Sequence, residues 1–167
     1  MLPPAGEAVS IVEVAPRDGL QNESVVLPPE QRAEFISRLA ACGLKRIEAG
    51  SFVSPKWVPS MAGTAEVLKL LGDRPELRLS ALTPNARGFA DALASGVAEV
   101  AVFMSASETH NQSNLNCSIA ESLSRYAAII EQGRATGMPA RAYLSVVVGC
   151  PYEGKVAASK VVRLGVK

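Results

Sequence analysis

Apolar positions fall along this chain in two alternating periods. Ile11–Ala15 (IVEVA) is a short apolar run that predicts a buried strand, cut off by the turn-forming PRDG of residues 16–19. From Leu27 to Gly43 the spacing changes. Phe35, Ile36, Leu39 and Ala40 recur at helical intervals behind Pro28, Pro29 and Glu30, and Gly43 supplies the stop. The pair then repeats: residues 45–52 (KRIEAGSF) predict a second strand and 60–73 a second helix. Residues 77–83 (LRLSALT) and 85–96 supply a third pair, with the helix closing on Gly96, and 98–105 (AEVAVFMS) a fourth strand. Residues 105–118 (SASETHNQSNLNCS) read as a loop. Ser118 with Glu121 three positions on is a capping box that opens a helix reaching about Gly137, and 140–148 (ARAYLSVVV) predict a fifth strand.

Strands that alternate with helices, several of them apolar throughout, point to an α/β fold with a parallel sheet covered by helices. A doubly wound sheet is one solution, but PRDGLQ after the first strand is no GxGxxG, and no Walker A loop exists. The other is a parallel (β/α)8 barrel of the TIM type, whose chemistry sits at the C-terminal ends of its strands. Those ends carry Arg17-Asp18, Glu48 with Ser51-Phe52, Thr83-Pro84-Asn85, Ser105 to Asn111, and Gly149-Cys150-Pro151. So many polar groups at one rim favour the barrel. A complete barrel takes about 250 residues and eight strands. Residues 1–167 are therefore expected to be the N-terminal part of a single barrel domain, incomplete, with about five of eight strands.

Composition narrows the partners. The chain is 48% hydrophobic and 20% charged, and 17 basic against 16 acidic residues give a net charge of +1. With no basic stripe interleaved with aromatics, nucleic acid is not an expected partner, and a small molecule fits better. No apolar run is long enough for a bilayer, and MLPPAGEAVS lacks the features of a signal peptide, so a soluble, cytoplasmic protein without membrane attachment is expected. Cys42, Cys117 and Cys150 are widely spaced, without a CxxC, and suggest neither a disulfide framework nor a thiolate zinc site.

At the strand ends, Asp18 is a hard oxygen ligand suited to Mg2+ or Mn2+, and the adjacent Arg17 is suited to holding a carboxylate or a developing enolate oxygen. The plainer alternative is a turn salt bridge between the two. Glu48 sits in a strand otherwise fit for burial and needs a partner there, for which Arg17 is the natural candidate; otherwise it reaches solvent at the rim. His110 is the only histidine. It builds no zinc triad, no H-E-x-x-H is present, and no nucleophile elbow supports a Ser-His-Asp site, which weakens hydrolase readings. The asparagines of NLNC, residues 114–117, are able to bond an amide-bearing ligand or the loop's own backbone.

Over residues 9 to 156 the segments VEVAPRDGLQNE, IEAGSFVSPKWVPSMAG, VFMSASETHN, NLNCSIAESL and RAYLSVVVGCPYEG resemble, in order and spacing, the hydroxymethylglutaryl-CoA lyases. RDG alone is shared with condensing relatives of the isopropylmalate and homocitrate synthase type; RDGLQNE together with SFVSPKWVP is specific to the lyases. The resemblance implies cleavage of 3-hydroxy-3-methylglutaryl-CoA to acetyl-CoA and acetoacetate, a step of leucine breakdown, by a carbon–carbon lyase that uses divalent Mg2+ or Mn2+. It implies Asp18 as a metal ligand, Arg17 as the arginine that stabilises the enolate, and Glu48 as a supporting carboxylate. Asn114 and Ser118 fall where the family contacts its acyl-CoA substrate, and the full-length family members are expected to be homo-oligomers. Ser24 and Ser113 stand where some members carry basic residues.

The departures are as informative. The family's H-x-H metal ligands, its later asparagine and the AGLGGCPY loop with the catalytic cysteine have no counterpart in these 167 residues, and Cys150 in VVVGCPYEG matches a different segment. The chain alone is thus expected to be inactive, and to associate through open sheet edges and apolar inward faces. The alternatives are a Claisen-condensing synthase of the same superfamily and a non-catalytic half-barrel that self-associates.

Overall fold

The computed structural model describes residues 8–165. The reading of the leader as free of a targeting signal falls largely on residues 1–7, outside the described residues. In chain order the elements are α1 (Pro29–Ala41), β1 (Arg46–Ser51), α2 (Thr64–Leu71), β2 (Arg78–Leu82), α3 (Ala86–Ala94), β3 (Glu99–Ser105), α4 (Glu108–Leu115), α5 (Ile119–Thr136), β4 (Ala140–Ser145), β5 (Gly149–Cys150), β6 (Gly154–Lys155) and α6 (Ala158–Gly165). Strands β1 to β4 form one sheet, parallel throughout and in sequential order. A doubly wound sheet reverses its strand order at a switch point. This one never reverses, so it is an arc of a singly wound (β/α) barrel.

Each strand presents one face to the helices. Ile47, Ala49, Ala81, Val100, Val102 and Met104 pack there against Ile36, Val67, Phe89 and Ile129 in one continuous core. Because side chains alternate along a strand, the intervening positions of the same strands point inward, and these are Arg46, Glu48, Arg78, Ser80, Glu99, Arg141 and Tyr143. They bond to one another across the sheet. The expectation of apolar inward faces is corrected: the inner face of this arc is charged over its lower half.

Three other expectations are corrected. The first strand, Ile11–Ala15, is a single bridge, in which the Glu13 N–H donates to the Arg46 carbonyl at 2.9 Å and the Glu48 N–H to the Glu13 carbonyl at 2.8 Å. Pro16 brings no N–H to a ladder, and the chain winds instead into a π-helical turn over Ala15–Gly19. The sheet is therefore four strands and a bridge, not five strands. The last of these, β4, stops at Ser145 because Val146 takes φ 55, a left-handed conformation that a β-branched residue adopts only at a cost. Beyond it, Gly149–Cys150 pairs antiparallel with Gly154–Lys155 as a small hairpin.

The stretch read as a loop holds α4. It has no apolar stripe, and its one buried residue is Asn111. That side chain accepts from the Ser105 N–H at 2.9 Å and donates to the Cys117 carbonyl and the Ser122 hydroxyl, both at 2.8 Å. A polar anchor, not an apolar face, docks this helix. The capping box of α5 is present as expected, with Ser118 and Glu121 serving each other's backbone.

Gly50 shows how tightly α1 and α2 sit on β1. A Cβ there would lie 2.5 Å from Thr64 Oγ1 and 2.8 Å from Arg32 Nη2. Arg32 is fully buried, donating to the Ala62 carbonyl at 2.7 Å and to Thr64 Oγ1 at 3.2 Å, so it has no room to retreat. Gly50→Ala is expected to cost about 1–3 kcal/mol by overpacking, read as a lower urea midpoint with unchanged slope; an unshifted midpoint would show that the helices yield.

Candidate functional site

The site is assembled from the end of the Glu13 bridge and the inner face of β1 to β4. Glu48, in the middle of β1, has no solvent exposure. A buried carboxylate requires partners, and it has three. Arg17 Nε donates to its Oε1 at 2.5 Å, the Tyr143 hydroxyl donates to Oε2 at 2.9 Å, and Arg141 Nη2 lies 3.4 Å from Oε2. Both oxygens are thus engaged. The same guanidinium of Arg17 reaches Asp18 Oδ1 through Nη1, also at 2.5 Å. The ion pair with Glu48 and the turn salt bridge with Asp18 coexist on one side chain. Arg17 is 12% exposed and Asp18 59%, so the arginine lines the rim and the aspartate projects beyond it.

Below Glu48 the charges continue towards the N-terminal end of the arc. Arg141 Nη2 also lies 3.2 Å from Glu99 Oε1 and donates to Ser80 Oγ at 3.1 Å. Glu99 Oε2 accepts from Arg46 Nη2 at 2.9 Å and Arg78 Nε at 2.8 Å. Burial opposes ionisation of Glu99, but the hydrogen bond from Arg78 and the charges of Arg141 and Arg46 outweigh it and hold its carboxyl below the usual range. Burial, and then the negative Glu48 beside it, push the Tyr143 phenol up to about 12. Tyr143 is therefore a neutral donor at any physiological pH.

Sequence reasoning named Arg17, Asp18 and Glu48 and missed Glu99, Arg141 and Tyr143. For Arg141 and Tyr143 the signal was available: a polar side chain at every second residue, Arg46 and Glu48, Arg78 and Ser80, Arg141 and Tyr143, marks a polar inner face, whereas Glu99 stands alone before an apolar run.

Asn114 and Ser118 lie apart from this cluster. Asn114 is exposed on α4. The Ser118 hydroxyl is half-buried and occupied as the N-cap of α5, accepting from the Glu121 N–H and donating to Glu121 Oε2. Among the described residues no hydrogen bond or ion pair joins either to Arg17, Asp18 or Glu48. His110 is on a helix, not a loop, with Nδ1 2.7 Å from Ser105 Oγ. Beside it the Cys150 thiol contacts Ser107 Oγ at 2.9 Å. Burial opposes its ionisation, but the Ser107 hydroxyl and the N–H groups of Glu153 and Tyr152 set it below an ordinary thiol.

A divalent cation of the Mg2+ type wants about six oxygen ligands. Among the described residues no group of three or more His, Cys, Asp or Glu side chains is placed to hold a metal. Asp18 is one oxygen donor, already bonded to Arg17, and these residues by themselves do not make a metal centre.

A family model described as HMGL-like matches residues 8–167. The chain belongs to the HMGL-like family. It is 48% identical over 158 residues to the 3-hydroxy-3-methylglutaryl-CoA lyase, cytoplasmic, of Homo sapiens, covering 95% of this chain and 43% of that protein. It is 51% identical over 156 residues to the mitochondrial hydroxymethylglutaryl-CoA lyase of Bos taurus, covering 93% and 48%. Among solved structures it is similar to hydroxymethylglutaryl-CoA lyase from Pseudomonas aeruginosa, with TM-score 0.90 and 49% identity over 94% of this chain and 52% of that one. Its HMGL-like relatives are carbon–carbon lyases, and this chain is a partial barrel that spans about half their length.

Within the HMGL-like arc the Glu48–Tyr143 bond has a direct readout. Removing the Glu48 charge removes a cause that raises the phenol, so Glu48→Gln is expected to bring the Tyr143 titration down from about 12 towards the ordinary value near 10. Phenolate absorbance, with Tyr143→Phe identifying the transition, measures it. An unmoved titration would mean that burial alone sets the value.

Proposed function

We propose that this chain supplies the N-terminal arc of a 3-hydroxy-3-methylglutaryl-CoA lyase, and that Arg17 is its substrate-facing arginine. The observation that carries the reading is the state of that guanidinium. Nε is held by buried Glu48 and Nη1 by Asp18, while Nη2 has no protein partner among the described residues. A charge clamped on two nitrogens with the third open at the rim is preorganised for an oxyanion.

In the reaction the 3-hydroxyl loses its proton, the C2–C3 bond breaks, and the electron pair moves onto the thioester as an enolate. Acetoacetate leaves, and protonation at C2 completes acetyl-CoA. Arg17 stabilises the negative charge on the thioester oxygen. Glu48, with both oxygens accepting bonds, positions Arg17 and is not the base. Asp18 would offer one oxygen to a divalent cation, Mg2+ or Mn2+, whose chemistry would be to polarise the substrate oxygens. Asn114 on α4 and Ser118 at the start of α5 take the acyl-CoA contact in this reading, Ser118 through a hydroxyl that must also cap α5. The names of the relatives support the substrate; a role in leucine degradation, a cytoplasmic location and homo-oligomeric assembly of the whole protein belong to the same reading. Among the described residues no helix is long and apolar enough to cross a membrane.

The 167-residue chain alone is expected to release no acetoacetate from 3-hydroxy-3-methylglutaryl-CoA with Mg2+ or Mn2+. Co-produced with the C-terminal half of the Pseudomonas aeruginosa relative, it is expected to do so, and Arg17→Ala in that assembly should lower turnover on the order of 100-fold or more with the far-UV spectrum unchanged. Wild-type turnover in Arg17→Ala would remove the arginine from the chemistry. Condensation of acetyl-CoA with a 2-oxo acid by the assembly would replace the lyase by a synthase.

A further inference from the structure

Arg141 makes an unusual set of contacts. Its Nη2 faces three oxygens on three other strand positions: Glu48 Oε2 at 3.4 Å, Glu99 Oε1 at 3.2 Å and Ser80 Oγ at 3.1 Å. Its Nε and Nη1 are buried without an acceptor, and its guanidinium carbon lies 5.3 Å from the centre of the Tyr143 ring. Leaving two buried donors unpaired costs stability, and a residue chosen for stability alone would turn to satisfy them. What this orientation achieves is to place one positive nitrogen between two buried carboxylates, with the ring of Tyr143 behind it.

The same Tyr143 donates its hydroxyl to Glu48. Glu48 therefore receives Tyr143 and Arg141 on one oxygen and Arg17 on the other. The carboxylate plane, and with it the direction of Arg17, is set by what grips Oε2. Glu99 is itself fixed by Arg46 and Arg78, so the row is anchored at the N-terminal end of the arc and ends at the rim.

We propose that Arg141 and Tyr143 of β4 are positioning residues for Arg17: they hold the Glu48 carboxylate so that its Oε1 fixes the Arg17 guanidinium facing the mouth. Neither touches substrate. Their functional meaning rests on the reading of Arg17 as the substrate-facing arginine, but the geometry is testable without any reaction.

The test is hydrogen exchange of the arginine Nε–H groups in the 167-residue chain, labelled with 15N at Nε, with Arg17→Lys assigning the Arg17 signal. The wild type is expected to show a protected Arg17 Nε–H. Arg141→Gln should reduce that protection about tenfold, the equivalent of losing a hydrogen bond to a charged group, and Arg141→Lys, which keeps the charge, should restore most of it. Tyr143→Phe keeps the ring and removes only the hydroxyl. It should reduce protection about threefold, as for an ordinary hydrogen bond, and it decides the matter should Arg141→Gln unfold.

Unchanged Arg17 protection in both Arg141→Gln and Tyr143→Phe, or no protection in the wild type, would overturn the proposal. In the assembly with the relative's C-terminal half, Arg141→Gln should lower kcat while leaving KM within about twofold, as expected for losing an interaction made only in the transition state. Loss of protection without any lyase activity in the wild-type assembly would leave the positioning intact and remove the lyase reading alone.

Discussion

Three guanidinium groups converge on the carboxylate of Glu99, and the inner face of the arc depends on it. Arg46 and Arg78 are direct register partners on β1 and β2, and like charges placed opposite each other on neighbouring strands repel. Glu99, arriving from β3 with 5% of its side chain exposed, lies within 2.9 Å of both. It thereby turns a repulsive pair into a cluster with one acid at its centre. Arg141 extends the cluster from β4 to Glu48, and Glu48 extends it to Arg17 at the rim.

This row ties stability to geometry at the candidate site. Burying an ion pair brings little net stability, because desolvation offsets most of the attraction, whereas removing one partner leaves a stranded charge. Such a row specifies orientation more than it adds energy. Glu48 is the pivot: fully buried, accepting on both oxygens, and therefore unable to move without disturbing Arg17, Tyr143 and Arg141 together. A charged inner face also gives this arc a surface that an apolar barrel lining would not have.

Much of this was readable in the chain. The helix-facing positions of β1 to β3 are apolar at every second residue, and Gly43, Gly96 and Gly137 adopt the positive φ that closes a helix. The pairing of Arg17 with Glu48 followed from the cost of an unpaired buried carboxylate. What was illegible has local causes. Ile11–Ala15 looks like a strand by composition, but Pro16 and the turn behind it leave only Glu13 bridged. The valine run at 146–148 promises a longer β4, yet Val146 turns left-handed and the chain breaks away into a hairpin. Helix α4 has no apolar face to detect, since one asparagine docks it. Arg141 and Tyr143 showed their alternation but not their partners, because those partners, Glu48, Ser80 and Glu99, sit on other strands far away in the chain.

The inner face holds together around the Glu99 counter-charge. Equilibrium urea unfolding of Glu99→Gln at neutral pH tests it most directly. The substitution keeps the shape and removes the charge from beside Arg46, Arg78 and Arg141. A loss of about 1–3 kcal/mol is expected, the size of losing hydrogen bonds to a charged group whose arginine partners are in part solvated. A change within the roughly 0.5 kcal/mol typical of a surface substitution would contradict it.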